Sequence, residues 1–182
     1  MVKKISLILT LTVLLGCKND DDSGVLDNAV DGQNSITLVT GIALKASALD
    51  MPLVFGNPNI KNNGVFIAPN PTGSDGIFSV SSVTGGSISN LWIIPGNAQK
   101  VYQEVNFLTT LTDVNYEDAD LTAVAVENIS GINGTDITIN LENFSSGYYR
   151  VFIKTANGLS WENLFLNNDG NTSIQDIEDF WK

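Results

Sequence analysis

The chain reads as an all-β protein, an antiparallel β-sandwich closed by one short C-terminal helix. Three observations predict this. From Ser35 onward, apolar residues alternate with a period of two more often than they recur at helical spacing. The alternating runs are short and are separated by clusters of Gly, Asn, Asp and Pro, the residues that turn a chain. Helix-start chemistry joined to helical spacing occurs only in residues 171–182.

Candidate strands cover 36–45, 64–68, 76–82, 88–95, 99–107, 121–127, 135–141, 147–155 and 159–166. Many short strands at this spacing specify a sandwich or a barrel. Leu91, Trp92, Ile93 and Ile94 are apolar on both faces, which suits a central strand. The last two runs form a hairpin around Asn157-Gly158, the preferred two-residue type I′ turn. Counting outward pairs Ala156 with Leu159, Lys154 with Trp161, Val151 with Leu164 and Tyr149 with Leu166. One face then carries Tyr149, Val151, Ile153, Leu164 and Leu166, a core face. The other carries Tyr148, Arg150, Phe152, Lys154, Trp161, Asn163 and Phe165. Its aromatics, Tyr148, Phe152, Trp161 and Phe165, are the candidate ligand or partner face.

The C-terminal helix is expected from a capping box of Thr172 with Gln175, with Asp176 adding negative charge to its first turn. Ile174, Ile177 and Trp181 make one stripe, with Phe180 at its edge. A helix this short is marginal in isolation, so the stripe is expected to cover the aromatic face of the hairpin.

The N-terminus is an address. Lys3 and Lys4 precede an apolar run from Ile5 to Leu15, eleven residues long and too short to span a hydrocarbon core, which takes about twenty. It suits the h-region of a secretory signal peptide. Leu14-Leu15-Gly16-Cys17 resembles a bacterial lipobox and marks Cys17, the single cysteine, for lipidation. Acyl chains such as palmitate contribute ~0.8 kcal/mol per buried CH₂, and two or more anchor stably. Cleavage before Cys17 removes two lysines and no acid, leaving 7 basic and 20 acidic residues and a net charge of −13. The organisation is therefore a lipoprotein signal peptide over 1–16, an acidic tether over 17–34, a sandwich over 35–170 and a helix over 171–182. The tether would span ~22 Å as a flexible coil. Acidic residues directly after the lipidated cysteine also resemble the surface-export signal of Bacteroidota lipoproteins.

Residues 64–166 resemble the C-terminal sorting domain of type IX secreted proteins of Bacteroidota. The resemblance rests on Ala68-Pro69-Asn70-Pro71-Thr72, on Gly76-Ile77-Phe78-Ser79-Val80, and on Ile139-Asn140-Leu141 leading to Ser146-Gly147-Tyr148-Tyr149-Arg150-Val151. It implies an Ig-like sandwich and a Bacteroidota origin. It does not imply type IX export, because the lipobox already specifies export and because residues 167–182 follow where the family domain ends.

Composition removes several function classes. The chain is 43% hydrophobic and 16% charged, which places it among globular proteins. Its net charge of −11 argues against nucleic acid, which needs a basic footprint. No histidine and one cysteine remove His-dependent triads, His-based zinc sites, CxxC redox motifs and internal disulfides. Asp113, Asn115, Glu117, Asp118 and Asp120 offer oxygens of the kind Ca²⁺ takes, but Asp118 stands where an EF-hand loop needs glycine. Asn167-Asn168-Asp169-Gly170 with Asp176 faintly echoes a dockerin-type loop, with Phe165 at its first ligand position. The same acidic cluster is the only dense source of paired carboxylates for glycoside hydrolysis in the body, and no cleft is indicated. No organic cofactor is implied, and the expectation is a non-enzyme.

The expected function is that of a lipid-anchored, surface-exposed outer-membrane module acting through protein contacts, as an accessory subunit or surface partner of an outer-membrane assembly. The alternative is a carbohydrate-binding or adhesive module that stacks sugar rings on Tyr148, Phe152, Trp161 and Phe165. Cys17→Ala is expected to leave an unprocessed or soluble precursor with no acyl label, because no second thiol can substitute. Membrane fractionation with metabolic palmitate labelling checks this, and normal membrane retention of the variant would contradict it.

Overall fold

The computed structural model describes residues 32, 34–84 and 86–182. The signal peptide, Cys17 and nearly all of the tether lie outside these described residues. The described elements are, in order, β1 (Leu38–Val39), β2 (Gly41–Leu44), β3 (Leu53–Gly56), β4 (Val65–Ala68), β5 (Ile77–Ser82), β6 (Ile88–Pro95) and β7 (Asn97–Ala98). Then come α1 (Phe107–Thr110), α2 (Asp118–Val124), β8 (Glu127–Gly134), β9 (Asp136–Asn140), β10 (Gly147–Thr155), β11 (Gly158–Leu166) and α3 (Ile174–Trp181). None of these helices is long and apolar enough to cross a membrane.

The fold is an all-β, sandwich-like arrangement with a short C-terminal helix. A four-stranded antiparallel sheet runs β11-β10-β6-β8, and a three-stranded one runs β4-β5-β9. Between them sit Val65, Ile67, Phe78, Val80 and Ile139 from the smaller sheet. From the larger sheet they meet Leu91, Ile93, Val151, Ile153, Leu164 and Leu166. The alternation of Tyr149, Val151 and Ile153 on one side of β10 directs them to this layer, as the sequence predicts.

The hairpin register differs from the expected one. β10 and β11 pair from Gly147↔Leu166 to Thr155↔Gly158, so Ala156 and Asn157 form the turn and Gly158 already lies in the ladder. Gly158 takes φ +108°, while Asn157 is not among the residues at positive φ. This geometry does not need the double left-handed conformation of a type I′ turn. The register is two residues from the predicted one, and an even shift leaves each side chain on its predicted face.

The larger sheet is covered on its second face as well. Trp92, Ile94, Phe152, Leu159 and Trp161 pack there against Phe107, Leu111 and Leu121. Phe107 and Leu121 come from the stretches expected to be strands at 99–107 and 121–127, and Leu111 lies between them. The first is a loop entering α1 and the second is mostly α2. Local hydrogen bonding explains the difference. Thr109 and Thr110 donate their hydroxyls to the Asn106 carbonyl, and Thr112 donates to that of Leu108, an arrangement that competes with strand formation. Glu117 precedes α2, whose first turn carries Asp118 and Asp120 at the positive end of the helix dipole. Three further strands were not expected, the two-residue β7 and the longer β3 and β8. β3 and β8 contain or adjoin the Pro, Gly and Asn residues that read as turns, yet β3 pairs with β2 and β8 pairs with β6.

A third core joins the two ends of the described chain. Val39, Ile42 and Leu44 meet Phe165, Ile177 and Trp181, with Phe55 and Tyr148 alongside. α3 therefore covers the Tyr148–Phe165 end of the hairpin face, while the α1–α2 segment covers Phe152 and Trp161. The cap lies one residue later than predicted. Ser173 Oγ accepts from the Asp176 N–H at 3.2 Å, and the Asp176 carboxylate accepts from the Ser173 N–H at 2.8 Å. Ile174, the first helical residue, is 52% exposed while Ile177 and Trp181 are buried. Gly56, at φ +66°, makes room for the helix, since a Cβ there would lie 2.8 Å from the Trp181 ring. Trp181→Ala is expected to cost about 3–5 kcal/mol, and Ile174→Ala well under 1 kcal/mol. Urea denaturation of both variants checks this, and equal losses would contradict the docking of α3.

Candidate functional site

The aromatic face predicted to meet a ligand is closed. Phe152 and Trp161 are 0% exposed and Phe165 is buried, with Tyr148 partly so. The Tyr116 ring stands edge-on to Phe152 at 5.4 Å and to Trp161 at 5.2 Å. Tyr148 packs edge-on against Phe165 at 4.9 Å and Trp181 at 5.7 Å. The reason is energetic. Each large side chain of this kind gains roughly 1.5–3 kcal/mol on burial, and residues 101–125 and α3 supply the cover. Burial raises the pKa of the Tyr148 hydroxyl to about 12, opposed by the Trp181 indole.

Arg150 lies on the same covered face and is wholly buried. Its guanidinium donates to the carbonyls of Ser35 at 2.7 Å, Ile36 at 3.1 Å and Asn59 at 3.1 Å. It also stacks over Phe152 at 5.0 Å and Trp161 at 5.7 Å. Burial lowers its pKa, opposed by the nearby Tyr116 hydroxyl. Tyr116 itself donates to the Asn34 carbonyl at 2.8 Å. Arg150 and Tyr116 thus hold the chain where the predicted tether meets the body. Sequence placed Arg150 on this face but assigned it no partner.

The outer edge of β11 is sealed by polar groups from residues 57–72. The backbones of Lys61 and Trp161 exchange hydrogen bonds at 2.9 and 3.1 Å. The Phe165 N–H donates to Asn70 Oδ1 at 2.9 Å, and Asn70 Nδ2 donates to the carbonyls of Ala43 and Asn163. An edge strand protected in this way does not offer a free ladder to another chain.

Glu162 is the buried acid of this edge. It faces the core opposite Val151, where alternation calls for an apolar residue, and that mismatch is the sequence signal that could have found it. Lys45 Nζ lies 3.7 Å from its Oε1, with both side chains under a tenth exposed. Asn62 Nδ2 donates to the same Oε1 at 3.1 Å, and the ammonium of Lys45 stands 4.7 Å over the Phe66 ring. Desolvation raises the Glu162 carboxyl from its ordinary 4.5 to about 7, and the neighbouring Lys45, Asn62 and Ile67 N–H oppose the rise.

The acidic loop does not converge. Asp118 and Asp120 lie in the first turn of α2, and Asp118 Oδ2 pairs with Lys154 Nζ at 2.6 Å on the surface. A shallow depression of about 370 Å³ is lined there by Asn115, Tyr116, Asp118, Lys154 and Leu159. Among the described residues, no group of three or more carboxylate, thiol or imidazole side chains is placed to hold a metal. The side chains of the Asn167–Gly170 stretch are committed to structural hydrogen bonds: Asp169 accepts from the Asn171 N–H, Asn167 Nδ2 donates to the Thr172 carbonyl, and Asn168 Nδ2 donates to the carbonyls of Leu141 and Phe144.

One surface feature stands apart. The connection between β2 and β3 carries Leu49 at 94% and Met51 at 93% exposure, and Leu53 and Val54 of β3 are about half exposed. Asp50 is its only acid, and its carboxylate accepts from the Ser47 N–H at 2.7 Å. Sequence reasoning passed over this hairpin because its single apolar residues were broken by Asp50 and Pro52. No protein-family model, curated protein or solved structure matches the chain.

Glu162 sets a pH response. Its folded pKa is above its unfolded one, so the folded state holds the extra proton and is favoured by acid. That contribution is fully present below about 4.5, falls as pH rises towards about 7 and is absent above it. Its size is on the order of a few kcal/mol. Glu162→Gln is expected to flatten that slope, measured as urea-derived stability at several pH values from 4 to 8. An unchanged slope would contradict the assignment.

Proposed function

We propose that the mature chain is a lipid-anchored, non-catalytic binding module of the Bacteroidota outer membrane that acts through protein contacts, as an accessory subunit or surface partner of an assembly there. The lipobox and Cys17 support the anchoring. The observation that carries the protein-contact reading is the β2–β3 hairpin tip, where Leu49 and Met51 are almost fully exposed beside the half-exposed Leu53 and Val54. Large apolar side chains gathered at a protruding tip have no role in the core and gain energy only when something covers them. The tip is also nearly free of charge on a strongly acidic body, so contact there avoids most of the body's electrostatic cost. The sugar-binding alternative loses its footing, because three of its four aromatics are buried under residues 101–125 and α3.

The double variant Leu49→Asp, Met51→Asp changes only exposed side chains and is expected to leave thermal stability within about 0.5 kcal/mol of the parent. It should abolish copurification of partner proteins from detergent-solubilised membranes of the native host. A parent protein that remains monomeric and without partners, or a variant that keeps them all, would overturn the proposal.

A further inference from the structure

The group around Glu162 has the arrangement of a self-acting condensation site. We propose that Lys45 and Asn62 form an intramolecular isopeptide bond, with Glu162 as the proton carrier. Four features of the site support it, and none depends on the lipid anchor or the hairpin tip.

The nucleophile is a lysine whose side chain is 8% exposed. Its Nζ lies beside a carboxylate that is itself 4% exposed, against an aromatic ring. Removing both groups from water favours the neutral amine and neutral acid over the ion pair. The electrophile is the Asn62 carboxamide. Its Oδ1 accepts from two backbone donors, Gly64 N–H at 2.7 Å and Val65 N–H at 3.0 Å. Two donors on one carbonyl oxygen polarise the Cγ–Oδ1 bond and stand ready for the negative charge that develops there on attack. The acid–base group touches both partners through one atom, since Glu162 Oε1 meets Lys45 Nζ at 3.7 Å and Asn62 Nδ2 at 3.1 Å. Holding the groups on a folded scaffold replaces a bimolecular encounter by an intramolecular one. Asn62 lies at the solvent side of the cluster, which leaves an exit for the departing group.

The step balances. A proton passes from the Lys45 ammonium to Glu162, giving a neutral amine and a neutral carboxyl. The Nζ lone pair forms a bond to Asn62 Cγ, and the carbonyl π pair moves to Oδ1 between the two N–H donors. Glu162 gives its proton to Nδ2 and receives one from Nζ. The Oδ1 pair returns, the Cγ–Nδ2 bond breaks and ammonia leaves. The products are a secondary amide between Nζ and Cγ, one ammonia and the carboxyl of Glu162 restored. No oxidant, reductant or second substrate is needed. The bond ties the end of β2 to the turn before β4.

The test is mass spectrometry on the processed full-length protein and on its Lys45→Arg, Asn62→Ala and Glu162→Gln variants. The expected result is a wild-type mass lower by one ammonia than the substitution alone accounts for, measured against each variant. A proteolytic digest should contain one branched species joining the Lys45 and Asn62 peptides, lost in all three variants. Asn62→Ala alters an exposed residue, so it keeps the test decisive if a buried variant fails to fold. A wild-type mass with no ammonia missing would overturn the proposal. So would a missing ammonia confined to one linear peptide and retained in Lys45→Arg, because that marks a succinimide at an Asn-Gly step such as Asn63-Gly64 or Asn157-Gly158.

Discussion

The structure depends on burying both faces of the β10–β11 hairpin. One face of the pair carries Tyr149, Val151, Ile153, Leu164 and Leu166, and the other carries Phe152, Leu159, Trp161 and Phe165. A sheet that is apolar on one side needs one cover, but this one needs two. The β4-β5-β9 sheet supplies the first. No single regular element supplies the second. Residues 101–125, the β1–β2 segment and α3 divide it, each bringing a few large side chains to the face. The irregular middle of the chain is therefore shaped by the surface it must cover more than by its own local preferences.

The polar groups caught inside this arrangement are handled by carboxamides and carbonyls. Arg150 has its guanidinium bound to three backbone carbonyls and two aromatic rings. Asn59, Asn70 and Asn163 together bridge β11, residues 38–43 and the segment beside them. A neutral amide both donates and accepts, and burying it costs far less than burying a charge. Asparagine can therefore fasten a sheet edge where a lysine or glutamate would need a partner. Glu162 is the exception, and it has Lys45 and Asn62 beside it.

What the sequence made legible followed from strong, regular patterns. The alternation in β10 and β11 assigned each side chain to its face even though the turn was placed two residues away, because an even shift preserves the faces. The terminal helix was found from its stripe, with its cap one residue off, since Thr172 and Ser173 are both capable N-caps. The helix was expected to cover the whole mixed face, but it reaches only the Tyr148–Phe165 end, and local sequence does not contain what covers the rest. Whether Phe152 and Trp161 are covered depends on residues some 30 to 60 positions earlier in the chain, Phe107, Leu111 and Leu121 among them. In the acidic stretch, Asp118 and Asp120 open a helix where a strand was expected from residue 121, and Asp118 pairs with Lys154. The Lys45–Asn62–Glu162 group draws on three distant parts of the chain, and only Glu162 left a trace, an acid at a core position.

The third core has a consequence for how the chain reaches its final state. Val39, Ile42 and Leu44 near the beginning of the body rest on Ile177 and Trp181 at its end. Contacts so far apart in sequence are slow to form, because a long loop must close before they contribute anything. A chain that emerges from a ribosome or a membrane channel N-terminus first must therefore wait. β1 and β2 are delivered early, with their apolar side chains still lacking the helix that covers them. The β10–β11 hairpin, being local, can form as soon as it is complete, but the shell closes only when the last turn of α3 is free. Emergence of α3 thus sets the moment of final assembly, and any delay before it prolongs the period in which the leading strands can bind a chaperone or aggregate.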